Sequence, residues 1–237
     1  MVKETAQLSY ERHAEHESYL QLASCYTDPD SIDAWHHERM IRFIVPLIQL
    51  YPDSKFLTVG DGRYGSDAFL LKKYQADVLA TSLTDNYLKI AKEKGYIDKY
   101  QAVNAENMPF DDNYVDFVLC KESYHHFPRP AIAFYEMLRV AKVAIILIEP
   151  TDDHFGLIDF LKKPLKKILR KEKYTDYERS GNYIFRSNSR EIKKMLLALN
   201  KPLYGVKYFN DFYLASLAKG RCENSSLSFL ITRFANF

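Results

Sequence analysis

From Lys55 to Pro150 the chain repeats one pattern: a short apolar run, then an amphipathic stretch of helical period, then another apolar run. The runs are KFLTV, DVLATS, YQAV, VDFVLC and VAIILIEP, and the helical stretches are GSDAFLLKKYQ, DNYLKIAKEKG and RPAIAFYEMLRVAK. Several runs are apolar without strict alternation, as strands covered on both faces should be. Strands joined through helices pair in parallel, because each crossover returns the chain to the same end of the sheet. The rhythm therefore predicts a doubly wound α/β sheet, with Gly95 stopping the second helix.

The flanks read differently. The first fifty residues are polar and helical in period, ending in SIDAWHHERMIRFIVPLIQLYP, where Trp35, Ile41, Ile44, Val45 and Ile48 recur at helical spacing. Ser31 or Asp33 can cap that helix, and Pro52 lies beyond its end. After Pro150 come a basic, Pro-interrupted segment, the helical SREIKKMLLAL, and two β-type runs, LYGVKYF and LSFLITRF, with no helix between them. Those runs predict an antiparallel closing hairpin, and the whole a Rossmann-like, mostly parallel, seven-stranded sheet. At 237 residues one domain suffices. Its expected parts are a helical cap (1–52), a core (55–150), an insert (151–187), and a closing helix and strands (188–237).

A formal charge of +2 gives no global pull toward nucleic acid or acidic lipid. Cys25, Cys120 and Cys222 are far apart and odd in number, fitting neither a disulfide framework nor a metal knuckle, so a reducing cytoplasm is the expected setting. No secretion signal or membrane span is expected from the hydropathy. The run KKPLKKILRKEK holds Lys162, Lys163, Lys166, Lys167, Arg170, Lys171 and Lys173. It reads as a solvated helix face, or as a peripheral contact for phosphate, an acidic partner or a membrane surface.

Three of the chain's eight glycines sit in FLTVGDGRYG, directly after the first apolar run. In open α/β sheets ligands bind at the carboxyl ends of the strands, where strand order reverses. Gly60 and Gly62 would let the backbone turn and approach a ligand, and Gly65 would let the next helix lie close. A tight turn without a ligand uses the same residues.

Four segments, FLTVGDGRYG, DVLATSLTDNYLKIAKEKG, NAENMPFDDNYVDFVLCKESYHHFPRP and MLRVAKVAIILIEP, resemble in order and spacing the motifs of class I S-adenosylmethionine-dependent methyltransferases of the small-molecule, type 11 kind. The wording TVGDGRYGSDA and CKESYHHFPRP also resembles a subgroup associated with bacterial surface-polysaccharide clusters. The resemblance implies S-adenosyl-L-methionine as cofactor, with Gly60, Gly62 and Gly65 shaping the loop beneath its methionine and ribose. Asp61 either meets the cofactor's ammonium or holds the loop by accepting backbone N–H groups. Ser82 stands where the family has a carboxylate for the ribose hydroxyls, and it brings less acceptor capacity and no charge. Asp85 is a candidate to compensate. Leu83 would pack on adenine, Asn104 accept from its amino group, and Ala105 donate its N–H, while Glu106 is expected in solvent.

Lys121 follows the strand end that meets the cofactor's amino group. Glu122, His125 and His126 are the candidates for receiving or orienting an acceptor proton. No metal is expected, because the two adjacent histidines have no third ligand at a suitable spacing. Acceptor specificity is assigned to Tyr10, Trp35, His36 and Arg39 and, from the insert, Tyr174, Tyr177 and Tyr183. The implied activity is methyl transfer to a small molecule or saccharide, at oxygen or nitrogen, by in-line displacement. A non-catalytic binding or scaffold protein of this fold is the chief alternative. An RNA methyltransferase or a nicotinamide-dependent oxidoreductase stands further off.

Overall fold

The computed structural model describes residues 2–17, 22–151, 177, 182–201, 203–209, 220, 222 and 227–235. Four helices come first: α1 (Val2–Glu17), α2 (Ser24–Thr27), α3 (Ile32–Ile41) and α4 (Val45–Leu50). Ser31 caps α3, its hydroxyl oxygen accepting from Ala34 N at 3.2 Å, which satisfies one of the orphan donors of the first turn. The alternating region then forms β1 (Lys55–Val59), α5 (Ser66–Lys73), β2 (Asp77–Ser82), α6 (Asn86–Glu93), β3 (Lys99–Ala102), β4 (Val115–Lys121), α7 (Pro130–Val140) and β5 (Ala141–Ile148). Gly95 follows α6 at φ +74°, the left-handed conformation that ends a helix.

The strands are parallel in the order β3-β2-β1-β4-β5. The chain builds outward from β1 to β3 and then crosses back to β4, so the reversal falls between β1 and β4. Val59 pairs with both Thr81 and Cys120, and Lys121 pairs with Ile148. Gly60, Ser82, Glu122 and Glu149 consequently leave their strands along one rim.

Apolar runs without alternation are explained by burial on both sides. Phe56, Phe117 and Leu119 join Leu70, Leu71 and Leu88 on one face, with Ile41 and Ile44 from the N-terminal helices. Leu57, Val59, Val118 and Cys120 point the other way, against Phe134, Met137 and Val140. Each such side chain contributes about 1.5–3 kcal/mol on burial.

Two expectations about the end of the chain change. SREIKKMLLAL does form a helix, α8 (Ser189–Ala198), with a capping box between Asn188 and Glu191. LSFLITRF, however, forms α9 (Leu227–Ala235) rather than a strand, and LYGVKYF carries no strand. A short apolar run is ambiguous between the two periods. Here the buried residues are Phe229 and Thr232, one turn apart, and Phe229 meets Trp35 edge-on at 5.4 Å. The described residues thus give five parallel strands and no antiparallel hairpin.

Candidate active site

The glycine loop is built by three separate demands. Gly60 has φ +75°, and a Cβ there would lie 2.5 Å from Ser123 Cβ, so its missing side chain makes room for the loop after β4. Ser123 Oγ donates to Gly60 O at 2.8 Å and ties the two strand ends together. Gly65 has φ +66° at the start of α5, where a Cβ would press on Ile97 and Leu88. Asp61 accepts from Thr58 Oγ1 (2.9 Å), Asp67 N (3.1 Å) and Ala68 N (2.9 Å), so its carboxyl anchors the loop to the first turn of α5. Burial, and then the neighbouring Asp67, push that carboxyl up to about 8.

On the β2–β3 side of Gly60, a small cavity of about 40 Å³ brings together Ser82, Leu83, Asn104 and Ala105. Asp85 is exposed at the start of α6 and does not line this cavity, so it supplies no carboxylate beside Ser82. Asn104 Oδ1 accepts from Glu106 N at 2.9 Å. Glu106 is not solvated as expected: its side chain is 1 % exposed. It accepts from Tyr10 OH at 2.5 Å, and from Arg129 N at 2.7 Å and Arg129 Nε at 2.5 Å. Buried carboxylates persist only with such partners. This one clasps α1 over the cavity, placing Tyr10 and His13 in its wall.

Beyond Gly60 the space widens to a cavity of about 390 Å³, within the range of small-molecule sites. His13, Gly60, His126 and Phe127 line both cavities, which makes them two ends of one cleft. Gly62, Asp61 and Arg63 form one wall, and Lys121, Glu122 and His125 another. The buried Lys121 ammonium lies 3.0 Å from Asp67 Oδ1 and 3.0 Å from Glu122 Oε2. Burial opposes its charge, but the two carboxylates outweigh that and hold it above the usual lysine range. Burial likewise works against the Glu122 charge, yet the hydrogen bond from His37 and the Lys121 charge keep the carboxyl well below its usual range. Glu122 also adopts φ +51°, a strained backbone where the chain leaves β4.

His125 Nδ1 stands 2.5 Å from Glu149 Oε2, with both side chains nearly buried. The other oxygen, Glu149 Oε1, accepts from Ser123 N and Tyr124 N, each at 2.8 Å. A carboxylate can only accept, so it draws the imidazole proton to Nδ1 and leaves Nε2 as a base. Sequence reasoning did not pick out Glu149, although the adjacency of β4 and β5 was the signal: residues just beyond two neighbouring parallel strands meet. His37 was also missed in favour of His36, which is buried in α3.

Residues 57–148 match the family model described as a methyltransferase domain. They are a class I methyltransferase domain. Among curated proteins the chain is 29% identical to tocopherol O-methyltransferase of Arabidopsis thaliana over 49% of its length and 39% of that protein. It is 33% identical to sarcosine/dimethylglycine N-methyltransferase of Halorhodospira halochloris over 40% and 36%. The chain thus spans under half the length of the curated relatives it matches. The fold is shared with the YcgJ protein of Bacillus subtilis (TM-score 0.51, 22% identity, 69% of this chain and 67% of that one). It is also shared with the 4+2 cyclase SpnF (TM-score 0.50, 19% identity, 68% and 55%).

The cofactor of this family is S-adenosyl-L-methionine, and the methyltransferase domain here fits it. The two ends of the cleft meet at Gly60, where a Cβ would lie 2.5 Å from Ser123 Cβ; Ser82, Leu83, Asn104 and Ala105 line one end, and the ionisable side chains of Arg63, Asp67, Lys121 and Glu122 line the other. Ser82, where the resemblance implies a carboxylate, lines the smaller end.

Several residues assigned to acceptor binding lie away from this cleft. Trp35 and Arg39 do not line it; Arg39 sits over the rings of Trp35 and Phe209, 5.5 and 5.4 Å from their centroids, and Phe229 packs on Trp35. They hold the C-terminal segments to α3. Tyr183 is exposed and meets Tyr177 in an isolated bridge, again outside the cleft. Tyr174 and the basic run 162–173 lie outside the described residues. No helix among the described residues is long and apolar enough to cross a membrane.

Proposed function

We propose that the chain transfers a methyl group from S-adenosyl-L-methionine to a hydroxyl oxygen of a small, polar acceptor of saccharide type. The observation that carries this reading is the His125–Glu149 pair at the wall of the larger cavity. An amine acceptor that arrives neutral needs no such base, whereas a hydroxyl must lose its proton as the new bond forms. Half of the lining residues are ionisable, counting four histidines, Asp61, Arg63, Asp67, Lys121 and Glu122. That wall suits a hydroxylated molecule better than a long prenyl chain.

The bound cofactor supplies a methyl group already activated by its sulfonium. The chain's own task is alignment and proton management. The Gly60–Gly62 backbone, Ser82, Leu83, Asn104 and Ala105 hold the adenosyl portion, and α1 excludes water from above. Orientation of this kind is worth up to about 7–11 kcal/mol in ideal cases. His125 Nε2 accepts the hydroxyl proton, Glu149 stabilises the resulting imidazolium, and the pair adds about 10²–10⁴-fold. His126 and Glu122 border the same space and orient the acceptor.

Incubating the protein with methyl-labelled cofactor and a panel of saccharides, phenols and amines tests the reading. Label on a hydroxyl oxygen, lost in His125→Ala, is the expected result. Label on amines alone, unaffected by that substitution, would overturn it. The second reading, a binding protein of this fold, is favoured by Ser82. It predicts that the demethylated product S-adenosylhomocysteine binds while no acceptor is labelled.

A further inference from the structure

The glycine loop and the loop after β4 both line the larger cavity, and one side chain of α3 reaches both. His37 Nε2 lies 3.4 Å from Arg63 Nη1, and His37 Nδ1 lies 3.3 Å from Glu122 Oε2. A guanidinium can only donate, so Nε2 accepts from it and the ring proton sits on Nδ1, facing Glu122. Asp33 Oδ1, at 3.8 Å, is too far from Nε2 to compete for that proton. The Lys121 ammonium, 3.4 Å from Nδ1, is spent on Asp67 and Glu122, each at 3.0 Å. Behind the imidazole, the buried His36 ring meets it edge-on at 5.6 Å and backs it on the helix side.

Glu122 is consequently held by one oxygen. Its Oε2 accepts from Lys121 and His37, while Oε1 has no partner among the described residues, and the side chain, 35% exposed, lines the cavity. The backbone at Glu122 is strained at φ +51°, a conformation that persists only where the surroundings enforce it. Glu122 N donates to Ile148 O at 2.8 Å, which pins the strained residue to β5. A carboxylate can only accept, so the open oxygen calls for an O–H or N–H on whatever occupies the cleft. His125 follows three residues later in the same loop and lines the same cavity.

We propose that Glu122 takes a second hydroxyl of the acceptor, next to the one that His125 deprotonates, with His37 as the positioning residue that holds the carboxylate in place; this rests on the hydroxyl reading above. The acceptor is then a molecule with neighbouring hydroxyls, as a pyranose ring presents. The reacting hydroxyl gives its proton to His125 Nε2. The second keeps its own and shares it with Glu122 Oε1, so the pair of contacts selects which hydroxyl of the ring is methylated.

Methyl hexopyranosides and their monodeoxy counterparts, offered with methyl-labelled S-adenosyl-L-methionine, are the probes. For the parent, removing the hydroxyl next to the labelled one should raise KM by about 10–100-fold with little change in kcat. Glu122→Ala should lose that discrimination, and His37→Ala with it. An asparagine amide N–H can stand where Nδ1–H stands, whereas a glutamine reaches the place of Nε2, so His37→Asn should restore the preference and His37→Gln should not. S-adenosylhomocysteine should bind all four variants as it binds the parent. Equal use of glycosides and their monodeoxy counterparts by the parent would overturn the assignment, as would equal behaviour of His37→Asn and His37→Gln. A loss of S-adenosylhomocysteine affinity in Glu122→Ala would also overturn it, by placing that oxygen on the cofactor. No label on any glycoside, with S-adenosylhomocysteine still bound, would sink the hydroxyl reading itself and this one with it.

Discussion

Glu149 reaches across from the end of β5 to hold His125 Nδ1 at 2.5 Å while its other oxygen gathers two backbone N–H groups from the loop after β4. One carboxylate therefore fixes both the shape of the loop and the tautomer of the imidazole it carries. Glu149→Gln keeps an oxygen for the backbone donors but turns an N–H toward His125, which moves the ring proton to Nε2. Methyl transfer should fall by about 10²–10⁴-fold with unchanged affinity for S-adenosylhomocysteine. Long-range proton–nitrogen NMR of the imidazole reads the tautomer directly; an unaltered Nδ1–H would contradict the positioning role.

Gly60→Ala places a methyl carbon 2.5 Å from Ser123 Cβ and forces a side chain into φ +75°. Left-handed strain and overpacking together should cost about 2–5 kcal/mol. Urea unfolding would show this as a lower midpoint with an unchanged slope, and a midpoint within error of the parent would mean that the two loops can part without penalty.

Tyr10→Phe removes the hydroxyl that joins α1 to Glu106. Hydrogen bonds to charged groups contribute about 1.5–3 kcal/mol, and the loss falls on the contact that joins α1 to the loop after β3. Amide hydrogen exchange in residues 2–17 should accelerate by about 10–100-fold while the sheet is unaffected. Acceleration throughout the sheet would show that α1 is part of the global folding unit.

Asp61 gives a pH signature. Its carboxyl lies at about 8 in the fold, against a reference of 3.8, because of burial and then Asp67. The folded state therefore holds a proton that the unfolded chain releases above the reference value, and stability from this group declines as pH rises between those limits. The advantage of the parent over Asp61→Asn should shrink from acid toward pH 8. Denaturant midpoints at several pH values measure it, and a constant or widening difference would refute the assignment.

The parallel core was legible because local pattern and tertiary burial agree there: runs such as KFLTV and VDFVLC are apolar on both faces, and both faces are covered. Ser82, Leu83, Asn104 and Ala105 were grouped by the family resemblance rather than by local pattern, and the structure brings the four to one cavity. What failed were residues whose partners are distant in sequence. Glu106 looked like an ordinary solvated glutamate until Tyr10, 96 residues away, closed over it. Glu149 read as a strand terminus, and LSFLITRF read as a strand because nothing local showed that Trp35 would select its helical face. Asp61 left two roles open, and the three donors around it show that it anchors the loop.

The family match stops at residues 57 and 148, yet Tyr10, His13 and His37, which wall the cleft, and Glu149, which aims its imidazole, lie outside those limits. The matched segment therefore supplies the floor of the cleft, and part of its ceiling comes from the N-terminal helices, so that a change confined to residues 1–52 would reshape the ceiling and leave the floor as it is.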